Sequence, residues 1–138
     1  MFDETKKYKT QGHFIFEKGN SLKVQSHDVP EQPGVYYIQR LTKGKVDLVY
    51  IGKSGTMLQT GEFKNQLLQG RLNNKQDDKK RQLYFENKIA EENIDGLDIY
   101  WFVTMDKNNN DLPGYVEGIL IQRYFDIYGK LPPWNKEF

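Results

Sequence analysis

The sequence predicts an α+β fold: a small mixed, largely antiparallel three-stranded central sheet flanked by helices, with an N-terminal β-hairpin-like extension. Three observations predict it. Two runs rich in β-branched and aromatic residues, 34–41 and 46–52, lie back to back around Gly44. A third run, 97–104, is apolar on both faces, as suits a central strand covered on both sides. The clearest three- and four-residue apolar spacing comes last, over 115–128, so the order is hairpin, helix, helix, strand, helix.

Taken in chain order, residues 1–29 form an N-terminal extension and 30–138 a single domain. Residues 1–11 are polar and charged, and 13–25 read as two short extended runs around the turn Gly19-Asn20. Pro30 and Pro33 bracket a stiff connector. In the returning strand Val46, Leu48 and Tyr50 share one face, and Asp47, Val49 and Ile51 the other. A helix is predicted over 62–72, with Phe63, Leu67, Leu68 and Leu72 on one stripe and Gly70 weakening it. A second, over 79–93, offers Leu83, Phe85, Ile89 and Ala90 as a narrow stripe. The third, over 115–128, repeats Val116, Ile119, Leu120, Tyr124, Ile127 and Tyr128, after a loop at 107–114. LPPWN (131–135) is a rigid extended end.

Composition narrows the function classes. The chain has 138 residues, enough for a core without staples, and no cysteine, which excludes disulfide scaffolds and thiolate chemistry. Twenty Lys and Arg against nineteen Asp and Glu leave a net charge of +1, so a polyanion must be met by a local patch. No apolar stretch approaches the ~18 residues of a membrane span, and the N-terminus lacks the apolar core of a secretion signal. The expectation is a soluble, intracellular protein working in the cytoplasm, away from membranes.

The chemistry-bearing residues cluster at predicted strand ends and helix starts. Gly34-Val35-Tyr36 opens the first hairpin strand, and Tyr50-Ile51-Gly52 closes the second, so hairpin geometry places Tyr36 and Tyr50 near one another. Lys53 follows at once, Arg71 lies on the next helix, Glu117 sits near the start of the strongest helix, and Asn135 follows Pro-Pro-Trp. Singly, each has an ordinary explanation. Tyr36 and Tyr50 are then strand aromatics, Glu117 a carboxylate favoured by the helix dipole, and Arg71 a solvated helix residue.

Together, and in this order, PGVYYI, VYIGKSG, Arg71 in GRL, Glu117 in YVEGILIQ, and Asn135 resemble the GIY-YIG nuclease superfamily, over roughly residues 30–135. The resemblance implies metal-dependent hydrolysis of phosphodiester bonds in DNA, with RNA left open as a substrate. Glu117 would hold one divalent cation, Mg2+ or Mn2+; magnesium takes few carboxylates and many waters. Arg71 would present two donors to the phosphate. Tyr36 would position or deprotonate the attacking water, with Tyr50 in the same network. A free phenol of pKa ~10 is ionised in about one molecule in a thousand at neutral pH, so a base needs nearby positive charge, for which Lys53 is the candidate. Asn135 would anchor the phosphate or the local backbone.

Two features depart from the family pattern. Residues 53–70 separate Gly52 from Arg71 by more than the short spacer of the repair-subunit branch, so this insert is either a substrate-contacting loop or a sign that Arg71 is not the equivalent arginine. Lys75 stands one helical turn after Arg71, where some members carry His or Tyr, and lysine does not readily shuttle a proton. Lys75, Lys79, Lys80 and Arg81 belong to a basic stretch able to track a nucleic-acid backbone, or to form an ordinary solvated helix start. His13 and His27 match no motif. The alternatives to a nuclease are a catalytically silent nucleic-acid-binding module and a protein-interaction adaptor on the same fold. With one site per chain, cutting both strands requires a homodimer or two sequential nicks.

Overall fold

The computed structural model describes residues 1–64 and 67–138. The architecture is α+β, as the sequence predicts. Its main sheet consists of β1 (Gln11–Phe16), β2 (Gly34–Thr42), β3 (Lys45–Lys53) and β6 (Gly96–Val103), in the order β1-β6-β2-β3. Every pairing in it is antiparallel. Helices α3 (Arg81–Glu92) and α4 (Pro113–Tyr128) flank it, with the short helices α1 (Leu22–Gln25) and α2 (Leu68–Leu72) and a two-stranded ribbon of β4 (Lys75–Gln76) and β5 (Lys79–Lys80).

The central hairpin follows its sequence. Lys43 and Gly44 both take positive φ, 49° and 80°, the paired left-handed turn that matches strand twist. At the other end Ser54 closes the strands: its main-chain N–H donates to Gly34 O at 2.9 Å, and its Oγ accepts from Gly34 N at 2.8 Å. Strand β6 is buried on both faces. Leu97, Ile99, Trp101 and Val103 join one core with α2 and α3, while Phe102 joins the other beneath α4.

The sequence-based picture needs correction at the N-terminus. The turn at Gly19-Asn20 is present, with Asn20 Oδ1 accepting from Glu17 N at 2.8 Å, but no strand returns from it. Ser21 caps α1 instead, and Leu22 is inserted into the core. Strand β1 pairs with β6, so the main sheet has four strands rather than three. Phe16, Leu22 and Val29 pack in the same core as the rest of the chain.

Two helices differ from their sequence patterns as well. Of the helix expected over 62–72, only Leu68–Leu72 is helical among the described residues; Phe63 bridges Met57, and residues 65 and 66 lie outside them. In α3 it is Tyr84, Phe85 and Ile89 that are buried, while Leu83 and Ala90 are exposed. Helix α4 begins at Pro113, whose missing N–H costs nothing in the first turn, and ends at Gly129 with φ 67°. Its Val116, Leu120, Ile121 and Tyr124 face the sheet; Ile127 and Tyr128 are exposed.

Candidate active site

The site lies where β2 begins and β3 ends. Tyr36 and Gly52 are direct partners in the β2–β3 register. A Cβ on Gly52 would stand 2.7 Å from Tyr36 Cζ and Oη and 2.8 Å from Tyr50 Cε2, so only glycine lets the two rings close over the backbone there. The rings tilt together at a centroid separation of 6.0 Å. Tyr36 is 1% exposed, which places its hydroxyl inside the protein.

Arg81 is the residue that sequence reasoning placed wrongly. Expected among the surface lysines, it is only 2% exposed and opens α3 from within the core. Its Nη1 donates to Tyr36 Oη at 2.7 Å, and its guanidinium lies 5.4 Å from the Tyr36 ring and 5.7 Å from the Tyr50 ring. Burial works against its charge, but Tyr36 and Tyr50 more than offset that and raise its pKa. Arg81, not Lys53, is therefore the cation bonded to the motif tyrosine. Nothing local in the sequence distinguishes it from its exposed neighbours Lys79 and Lys80.

Tyr50 is pushed well above the ordinary tyrosine range, by burial first and then by the Tyr36 hydroxyl, with Arg81 and Arg71 pulling the other way. It stays protonated at neutral pH, a hydrogen-bond donor rather than a base.

Lys53 packs against the first turn of α4, its Cδ 3.9 Å from where a Cβ on Gly114 would stand, and Glu117 lies on the next turn. Burial raises the Glu117 pKa, and Lys53 and Arg71 draw it partly back. Among the described residues, neither the Glu117 carboxylate nor the Arg71 guanidinium has a hydrogen-bond or ion-pair partner. Arg71 also acts on Tyr50, which ties this group to the tyrosine pair. Lys53 Nζ donates to Gly55 O at 3.1 Å. Beside it, Lys53, Gly55, Phe63, Pro113 and Tyr115 line a cleft of about 200 Å³ at the start of α4.

As for a metal, no group of three or more His, Cys, Asp or Glu is assembled among the described residues. That donor set does not fit a closed multi-ligand site. A single half-buried carboxylate with no partner among the described residues does fit a hard cation that keeps most of its waters. Glu117 is the residue that would hold it.

Asn135 anchors backbone. Its Nδ2 donates to Ile51 O at 2.9 Å and its Oδ1 accepts from Ile51 N at 3.0 Å, while Trp134 N donates to Val49 O at 2.8 Å. The C-terminal segment thus covers the free edge of β3. Lys75, Lys79 and Lys80 are exposed on the β4–β5 ribbon. The helix before Lys75 ends at Leu72, so Lys75 is not one helical turn from Arg71. The insert at 53–70 is compact where described, with Leu58 N donating to Glu62 O at 2.7 Å and Lys64 N to Thr56 O at 2.8 Å.

No protein-family model, no curated protein and no solved structure matches this chain.

Proposed function

We propose that the chain is a metal-dependent endonuclease that hydrolyses phosphodiester bonds in DNA, of the GIY-YIG type. One observation carries the reading: Lys53, next to the Tyr36–Gly52 strand pair, packs against the first turn of α4, the helix that carries Glu117, and the charges of Lys53 and Arg71 both favour the Glu117 carboxylate. Arg71, whose guanidinium has no partner among the described residues, is the donor for the phosphate. A cation held by Glu117 would neutralise charge that gathers on the phosphate oxygens. Tyr36 is the residue for the attacking water, and Tyr50 the adjoining donor.

The test is nicking of supercoiled and branched DNA with Mg2+ or Mn2+. Glu117→Ala and Arg71→Ala, each checked for folding, lose at least about a hundredfold in rate, the scale of one transition-state contact. Cutting that survives Glu117→Ala would sink the assignment. The burial of Tyr36 favours a second reading, a nucleic-acid-binding module without turnover. A wild type that shifts DNA at low salt yet cuts no substrate with either metal would establish that one.

A further inference from the structure

Arg81 is a buried cation. Among the described residues it forms no ion pair, its Nε has no acceptor, and its one side-chain hydrogen bond goes to the Tyr36 hydroxyl. Three aromatic rings lie against its guanidinium, Tyr36, Tyr50 and, at 6.0 Å, Phe85. Folds seldom need such a group: an apolar residue of similar volume often serves stability as well or better. A costly arginine bonded to a single phenol calls for a role at that phenol.

We infer that Arg81 is a positioning residue for Tyr36, fixing the direction of its hydroxyl in the reaction proposed above, on which this role rests. A phenol accepts and donates near the plane of its ring. With the Arg81 N–H on one side of the oxygen, the phenolic proton takes the other side, away from α3. Gly52 lies beneath the same ring atoms, where a Cβ would come within 2.7 Å of Oη, so only a residue without one leaves the Tyr36 hydroxyl at the guanidinium. The hydroxyl is thereby held by a charged donor over a backbone with no side chain to displace it. The charge also favours negative charge developing on the phenol oxygen, which is what a tyrosine acting on water requires.

Two measurements on one set of variants test this. The first is a thermal-stability cycle of wild type, Tyr36→Phe, Arg81→Met and the double variant. Tyr36→Phe strips the cation of its acceptor and lowers the Tm by at least about 4 °C. Adding Arg81→Met to it raises the Tm again. A double variant less stable than either single one would make Arg81 a fold residue and overturn the proposal. The second is nicking kinetics. Arg81→Met lowers kcat by about a hundredfold, the scale of a misplaced reacting group, with KM for DNA little changed. Arg81→Lys, which keeps a charged donor, restores part of it, and in the Tyr36→Phe background Arg81→Met costs nothing further. A rate loss that persists without the Tyr36 hydroxyl would put Arg81 on the phosphate instead. Coupled stabilities in a wild type that cuts nothing would remove the nuclease reading, and the positioning role with it, leaving the pair as a fold contact.

Discussion

Glu117 illustrates a conflict at the scale of one residue. Its carboxylate is half-buried on α4, and burial is the largest influence on it, raising its pKa despite Lys53 and Arg71. A carboxyl with a folded pKa above the unfolded value stabilises the fold below the unfolded value, and that contribution is lost as pH rises through the folded one. Once ionised, Glu117 is thus a net cost to the fold. Glu117→Gln is expected to melt higher than wild type at pH 7, with the difference shrinking toward pH 4. Mg2+ at neutral pH should raise the wild-type Tm and leave that of Glu117→Gln unchanged, because a ligand stabilises only the form that binds it. Thermal melts against pH and metal would decide the matter. A Glu117→Gln protein less stable than wild type at pH 7 would make the carboxylate a structural group.

At the scale of elements, the free edge of β3 sets the role of the C-terminal segment. Asn135 occupies both the N–H and the C=O of Ile51, as a neighbouring strand would. Asn135→Ala removes two partly buried hydrogen bonds and is expected to cost roughly 1–3 kcal/mol, with faster amide exchange at Ile51 and unchanged DNA affinity. Weakened DNA binding at unchanged stability would return Asn135 to the phosphate. This role was only half legible in the sequence, since the bond spans 84 positions. The strands at 34–42, 45–53 and 96–103 and the helix at 113–128 were legible because their burial imprints a local period. The partner of β1 was not, because Gly19-Asn20 announces a turn without saying what returns from it. In α3 the predicted stripe holds at Phe85 and Ile89 but names Leu83 where Tyr84 is buried, for a related reason. Tyr84 is buried by Trp134, at a ring separation of 5.9 Å, a contact from the far end of the chain.

Across the whole molecule, a net charge of +1 means that the binding of DNA proposed above would depend on where charge is placed. The positions of Tyr36, Tyr50, Lys53 and Glu117 at strand and helix ends were legible because those elements carry a local period, whereas Arg71 sits on a helix shorter than its pattern predicts. The burial of Arg81 was not legible, since exposure is a property of the assembled core. What remains for the outer surface is the β4–β5 ribbon, where Lys75 stands directly opposite Lys80 and Gln76 opposite Lys79. Like charges paired across strands are destabilising, and here the ribbon is only two residues deep on each side. Of the two acids at its tip, Asp77 is engaged by Lys136 at 3.0 Å. The ribbon is therefore a point of charge repulsion that a phosphate backbone would relieve. If DNA lies across it, replacing Lys75, Lys79 and Lys80 with alanine should weaken binding uniformly over different sequences. The slope of log affinity against log salt should flatten by about 2–3, close to one per lost phosphate contact. Arg81 stays out of this set because it is buried, and Arg81→Met should leave the slope unchanged. Binding isotherms at several salt concentrations would separate the two groups. An unchanged slope in the triple-lysine variant would place the DNA on another face, and a slope reduced by Arg81→Met would mean that its guanidinium reaches phosphate after all.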